Sequence, residues 1–225
     1  MTRPWLVLMA KEPVAGEVKT RLAPVLGAEG AARLYRAFLD DLSERVAALD
    51  SLERVLAVWP PHVDAPWLDR YRDRFRCIPQ RGAGLGERMQ AVVEEAFAHG
   101  ASAVVVVGTD LPTLPLEHVT EAFTRLAAGA AVVVGPDHDG GYYALGLARP
   151  VPGIFDVPMS TSRVLDATLG RVRDRGLRVA LLPSWADVDE PADLVRLGVE
   201  LRDPRIAKRA PRTAAALRVI ADPDA

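Results

Sequence analysis

The chain has 225 residues, 49% hydrophobic and 26% charged, an ordinary balance for a soluble globular protein with a real core. A formal net charge of −2 gives no electrostatic case for binding nucleic acid or an acidic membrane surface. The single cysteine, Cys77, excludes an internal disulfide and a cysteine-based zinc site, and fits a reducing cytoplasm.

The first apolar run, "WLVLMA" before Lys11, is too short for a signal-peptide core or a membrane span and suits a first buried strand. Lys11 to Pro24 carry no clear period, and a long unpatterned loop in a compact domain is often functional. Ala31, Leu34, Phe38, Leu42, Val46 and Leu49 then mark an amphipathic helix over Ala28 to Leu49. "RVLAVWP" is a second strand, stopped by Pro60 and Pro61. A short helix is expected around Trp67 to Phe75, then a short strand at "RCIPQ".

The glycine-spaced "RGAGLGERM" leads into a helix over Glu87 to His99. "VVVV", residues 104–107, is a strand buried on both faces, followed at once by Gly108, Thr109 and Asp110. "PLEHVTEAFTRLAAG" is a helix ended by Gly129. "AAVVVGP" and "GGYYALGLA" are strands joined by a short loop, so the second runs antiparallel to a neighbour. A helix at "TSRVLDATLGRVRDRG" starts from a Ser/Thr cap. "LRVALLP" is a strand, "PADLVRLGVELR" a helix, and Pro211 to Ile220 add a terminal helix. Strand and helix alternate through most of the chain. That pattern predicts a three-layer αβα sandwich around a Rossmann-like, mostly parallel mixed sheet. No domain boundary is visible, so residues 1–225 read as one domain, with a C-terminal helical extension over 203–225.

In such sheets ligands bind beyond the carboxyl ends of the strands, where the polar residues of this chain gather. "KEPVAGEVKTRL" offers Lys11, Lys19 and Arg21, with Gly16 for a tight turn. It reads equally as a phosphate-binding loop or a solvated basic loop, and it is not a P-loop. Gly82, Gly84 and Gly86 allow close approach of a ligand to backbone, or simply a flexible turn. Asp110 is a hard oxygen donor suited to Mg²⁺ or Mn²⁺ shared with phosphate oxygens. The competing reading is that Thr109 or Asp110 only bonds backbone in the turn. In "WADVDEPADL", Asp187 or Asp189 is a candidate second ligand, while Asp189 could instead cap the helix that begins near Pro191. "GPDHDGGYYALGL" is denser than a hairpin needs; of Tyr142 and Tyr143, one should be core and the other point elsewhere. No nucleophile elbow, HExxH or EF-hand loop occurs, so nucleophilic hydrolase chemistry has no support.

Taken together and in order, "MAKEPVAGEVKTRLAPVLG", "GAGLGERM", "VVGTDLPTL", "GPDHDGGYYALGL", "STSRVLDATL" and "WADVDEPADL" resemble an uncharacterised bacterial family. It is a glycosyltransferase-like family of the nucleotide-diphospho-sugar transferase superfamily, with the GT-A fold. The resemblance runs from about Leu6 to Leu197. It implies a divalent metal, Mg²⁺ or Mn²⁺, held by Asp110 and Asp189. It also implies nucleotide and phosphate contacts from Ala10, Lys11, Gly16, Lys19, Arg21, Gly82, Gly84, Gly86, Arg88 and Thr109. Substrate contacts would come from Asp139, Gly140, Gly141, Tyr142, Ser160 and Thr161. Lys19 to Leu22 resemble the triphosphate-facing Lys-Ser/Thr-Arg-Leu stretch of nucleotidyltransferases of the 2-phospholactate guanylyltransferase kind. The chain departs from the usual pattern at Gly84, where aspartate is common, and at Met159, where tryptophan is common.

Three functions follow. The first expectation is glycosyl transfer from a nucleotide sugar to a small acceptor. A metal on Asp110 and Asp189 would bridge the diphosphate and neutralise the leaving group, with Asp139 as base. The alternative is nucleotidyl transfer. There a phosphorylated small molecule attacks the α-phosphorus of an NTP and pyrophosphate leaves, Lys19 and Arg21 stabilising the charge that builds on the triphosphate, with no base required. The third is a non-catalytic nucleotide-binding protein. The partners expected are a nucleotide or nucleotide sugar and a small acceptor, without nucleic acid or membrane. The sequence gives no oligomeric state.

Overall fold

A computed structural model describes residues 2–221. The strands are β1 (Trp5–Lys11), β2 (Glu53–Trp59), β3 (Arg76–Pro79), β4 (Val104–Gly108), β5 (Val132–Pro136), β6 (Tyr142–Leu147) and β7 (Val179–Leu181). The helices are α1 (Ala23–Val46), α2 (Leu85–Ala98), α3 (Leu116–Ala127), α4 (Val164–Asp174), α5 (Pro191–Glu200), α6 (Pro204–Ala207) and α7 (Pro211–Ala221). The strands form one seven-stranded sheet in the order β3-β2-β1-β4-β6-β5-β7. β1 pairs β4 in parallel, as β2 does β3 and β5 does β7, while β6 lies antiparallel between β4 and β5. This is the expected α/β fold, a mostly parallel mixed sheet flanked by helices.

The described residues pack as two compact units. The first holds the chain up to Met9, Leu49–Gly108 and Pro115–Ala186; the second holds Ala10–Ala48, Thr109–Leu114 and the chain from Asp187 on.

In the first unit, Val104, Val106, Leu145 and Leu147 share a buried cluster with Met89, Val92 and Val93 of α2 and Val172 of α4. Gly146 faces the other way, where an added Cβ would meet Leu126 of α3 at 3.2 Å. The sheet is therefore covered on both faces, which is why β4 reads as a run of valines rather than an alternation. In the second unit, Leu34, Tyr35 and Phe38 of α1 pack with Val18, Leu22, Val188 and Leu197. Asp41 of α1, 1% exposed, accepts the free N–H groups of Arg212 (3.1 Å) and Thr213 (2.8 Å) at the start of α7. That satisfies two donors a helix start leaves open.

Two local expectations need adjustment, and one holds at its start. The long first helix is broken at Gly27, whose φ of 69° is outside helical range, so the regular helix begins at Ala28 as the periodicity predicts. The segment near Trp67 is not a helix but a 3-10 turn, Pro66–Leu68, and further tight turns. Buried Leu68, Tyr71 and Phe75 mimic a helical spacing there, but so short a segment gains too little from propagation to repay nucleation. At α4 the cap position is Arg163, with no side-chain cap bond; Thr161 Oγ1 accepts the Arg163 N–H at 3.4 Å instead. Gly129 ends α3 as expected, at φ 94°. Residues 222–225 of the expected C-terminal extension lie outside the described residues. Among the described residues, no helix is long and apolar enough to cross a membrane.

Candidate active site

The basic loop after β1 is anchored at two points. Val18 and Leu22 are buried, while Val14 to Glu17 are exposed and turn through Gly16 at φ 82°. Between the anchors, Lys19 takes a left-handed backbone, φ 47°, which costs a residue with a Cβ about 1 kcal/mol. That conformation accompanies an inward side chain, only 3% exposed. Lys19 Nζ hydrogen-bonds Asp189 Oδ1 at 2.7 Å and forms an ion pair with Asp110 Oδ1 at the same distance. Burial alone would pull the Lys19 pKa down, but the two carboxylates outweigh it and push it up to about 12. The ammonium stays charged at any working pH.

Asp110 is held through its backbone and its neighbours. The Val188 N–H donates to Asp110 O at 3.1 Å, which ties the turn after β4 to the segment carrying Asp189. Arg45, in the last turn of α1, donates to Leu114 O at 2.5 Å and Pro112 O at 2.7 Å. Thr109, 2% exposed, shares a 2.9 Å hydrogen bond with the Tyr35 hydroxyl, which also accepts the Lys11 N–H at 2.8 Å. Burial first, and then the charge of Asp110, push the Tyr35 pKa up to about 12. Thr109 thus faces α1, and Asp110 faces Lys19. Buried Asp110 Oδ1 receives no hydrogen bond from any described residue; its partner is the Lys19 charge.

Asp189 does not cap the last strand-to-helix turn. The cap position of α5 is Glu190. Asp193 Oδ2 accepts the N–H groups of Glu190 (2.8 Å) and Asp189 (3.0 Å), leaving the Asp189 carboxylate to Lys19. Arg196 braces the turn through Asp193 Oδ1 at 3.3 Å, Glu200 Oε1 at 2.9 Å and the carbonyl of Asp187. Arg21, 68% exposed, stands 3.9 Å from Asp189 Oδ2 and 3.6 Å from Glu190 Oε1. So Lys19, Asp110, Asp189 and Arg21 are brought together. Among the described residues no group of three His, Cys, Asp or Glu is placed to hold a metal.

Ala10 is a buried residue of the second unit, and the remaining predicted residues lie in the first. Gly82 has φ 131°, and a Cβ there would meet Glu87 Cβ at 2.6 Å; Gly86 lies so close to Phe155 that a Cβ would meet its carbonyl at 2.6 Å. Gly84 opens α2 with open space around it. Arg88 stacks on Trp59, its guanidinium 4.0 Å from the ring centroid, and donates to Ala83 O at 3.2 Å. Asp139 is exposed and its Oδ1 accepts the Gly141 N–H at 2.8 Å, a local turn. Gly140 abuts the Ser162 carbonyl, where a Cβ would sit at 2.0 Å. Ser160 has φ 60°, and Thr161 Oγ1 donates to Pro158 O at 3.0 Å. Tyr143 is core, its hydroxyl 3.0 Å from His118 Nδ1 and from Pro183 O, whereas the Tyr142 hydroxyl reaches Met159 Sδ at 3.8 Å. Sequence reasoning missed Tyr35, Arg45, Asp193 and Trp59. Of these only Asp193, three residues after Glu190, carried a readable capping signal.

Residues 42–161 match the family described as an uncharacterized protein conserved in bacteria (DUF2064). A phosphoenolpyruvate guanylyltransferase from Sphaerobacter thermophilus is 29% identical over 182 residues, 80% of this chain and 86% of the relative. Another from Rubrobacter xylanophilus is 34% identical over 200 residues, 83% of this chain and 92% of the relative. The crystal structure of a proposed nucleotide-diphospho-sugar transferase from Desulfovibrio desulfuricans G20 aligns with TM-score 0.87 and 32% identity, over 97% of this chain and 95% of that one. At the level of fold alone, glucosyl-3-phosphoglycerate synthase from Mycobacterium tuberculosis, solved with Mn²⁺ and UDP, aligns with TM-score 0.57 and 15% identity, over 93% of this chain and 80% of that one. The chain belongs to the bacterial DUF2064 family, has the fold of the nucleotide-diphospho-sugar transferases, and is a transferase.

Proposed function

We propose that the protein is a nucleotidyltransferase that joins the guanylyl group of GTP to a small phosphorylated acid of the phosphoenolpyruvate kind, releasing pyrophosphate. The observation that carries this reading is the buried Lys19 ammonium between Asp110 and Asp189, in a basic loop that also presents Arg21. Both relatives named above are guanylyltransferases, which favours this reading over glycosyl transfer.

A phosphate oxygen of the acceptor attacks the α-phosphorus. The bond from that phosphorus to the oxygen bridging to the β-phosphorus breaks, and pyrophosphate leaves with the electron pair. The nucleophile is already ionised, so no general base is needed and Asp139 can remain a turn residue. Lys19 and Arg21 offset the charge that grows on the leaving pyrophosphate.

The two carboxylates fit a divalent metal. Both Oδ1 atoms lie within 2.7 Å of one point, and that of Asp110 is buried without a hydrogen bond. Two carboxylates completed by substrate phosphates and water is the usual way Mg²⁺ is held. Bound there, Mg²⁺ or Mn²⁺ would neutralise triphosphate charge. Calorimetric titration with GTP and Mg²⁺ tests the assignment. Asp110→Asn should weaken metal-dependent binding at least about tenfold without changing the fold; unchanged affinity would mean Asp110 is not a ligand.

A further inference from the structure

The two carboxylates assigned to the metal already hold a cation. Lys19 Nζ is 2.7 Å from Oδ1 of both Asp110 and Asp189, on a side chain 3% exposed. The charges decide what can occupy this place. Two carboxylates and one ammonium sum to −1; two carboxylates and one divalent ion sum to zero. All of them together sum to +1, with both cations drawn to the same two oxygens and repelling each other at contact range. Lys19 therefore excludes the metal while it stays where it is. A triphosphate changes the balance, because it offers the ammonium new anionic partners. The exposed stretch Val14 to Glu17, just upstream of Lys19, puts the loop against solvent, where such a ligand arrives.

Building on the metal and nucleotide assignment above, we infer that Lys19 is a resident cation that exchanges with the divalent ion. Without nucleotide it holds Asp110 and Asp189 together and keeps the metal out. With nucleotide it moves onto the phosphates and releases both carboxylates to the metal. Metal and nucleotide then bind with positive coupling, each raising the affinity of the other.

Mn²⁺ binding, read from the free-ion electron paramagnetic resonance signal, tests this without turnover. The proteins are wild type, Lys19→Met and Lys19→Met/Asp110→Asn, each with and without a GTP analogue carrying an α,β-methylene bridge. Without analogue, Lys19→Met should bind Mn²⁺ at least about tenfold more tightly than wild type. The gain should vanish in the double variant, and the analogue should tighten Mn²⁺ binding more in wild type than in Lys19→Met. Equal nucleotide-free affinities would overturn the exchange; if the analogue-bound site still depends on Asp110, the metal assignment survives that result. Absence of Asp110-dependent Mn²⁺ binding in every state would overturn both. Should Lys19→Met fail to fold, wild type with ¹³C-labelled lysine serves. The Lys19 Cε resonance should be unmoved by Mg²⁺ alone and shift with Mg²⁺ and analogue; a shift with Mg²⁺ alone, or none with both, overturns the inference.

Discussion

Asp193 Oδ2 accepts the backbone N–H of Asp189 at 3.0 Å, so the carboxylate that closes the first turn of α5 is distinct from the one that faces Lys19. The division of labour matters, since an aspartate spent on capping has little left for a ligand. Asp193→Ala should destabilise the protein by about 1 kcal/mol, measured by urea unfolding. It should also weaken nucleotide binding, because Asp189 loses its backbone anchor. The pH dependence has a definite sign. Burial works against the Asp193 carboxylate, but the N–H groups of Glu190 and Asp189 and the Arg196 guanidinium outweigh it and hold its pKa below the usual value. The stabilisation is therefore complete above about pH 4 and fades as pH falls through the depressed folded value. Asp193→Ala should flatten that acid limb.

Tyr35 should behave in the opposite sense, at the alkaline end. Its hydroxyl, raised from 10.0 to about 12, is kept neutral in the folded protein. That contribution is full below about pH 10 and disappears as pH rises through the folded value. Tyr35→Phe leaves the Lys11 N–H without this partner. It should cost about 1–3 kcal/mol at neutral pH and remove part of the alkaline slope, both readable from melting temperature against pH.

Arg45 is the remote support of Asp110. Arg45→Ala strips the Pro112 and Leu114 carbonyls of these hydrogen bonds, at about 1–3 kcal/mol. The turn after β4 then loosens, and metal-dependent GTP affinity, measured by calorimetry, should fall more than it does for a surface arginine such as Arg74→Ala.

Two glycines make a contrasting pair. Gly84 opens α2 at φ −106° with nothing near a prospective Cβ, so Gly84→Asp should fold normally and can cap the helix. Gly140 combines φ 88° with a Cβ position 2.0 Å from the Ser162 carbonyl, so Gly140→Ala should cost more than about 1 kcal/mol in denaturant unfolding. Comparable stabilities would contradict the local geometry.

The strands and most helices were legible because burial leaves a period: the valines of β4, the α1 spacing from Ala31 to Val46, and the short loop that makes β6 antiparallel to β5. Asp110 and Asp189 stood out as candidates because each is an acid in the loop that follows an apolar run. What joins them was not legible. Neither the Lys19 bridge nor the Arg45 clamp leaves a local pattern, since each links residues far apart in sequence. Tyr35 looks like one more apolar position on α1 until its hydroxyl is seen between Thr109 and Lys11. Around Trp67 the reverse held, with a helical spacing belonging to a series of turns.

Pyrophosphate release reads the proposed reaction itself. With GTP, phosphoenolpyruvate and Mg²⁺, the protein should release pyrophosphate only when both substrates are present. Mass spectrometry should find the guanylylated acid, and Asp110→Asn should lose the activity by at least about a hundredfold. Release of UDP or GDP from a sugar nucleotide, with no pyrophosphate from any pairing of an NTP with a phosphorylated acid, would make the protein a glycosyltransferase and rule out nucleotidyl transfer.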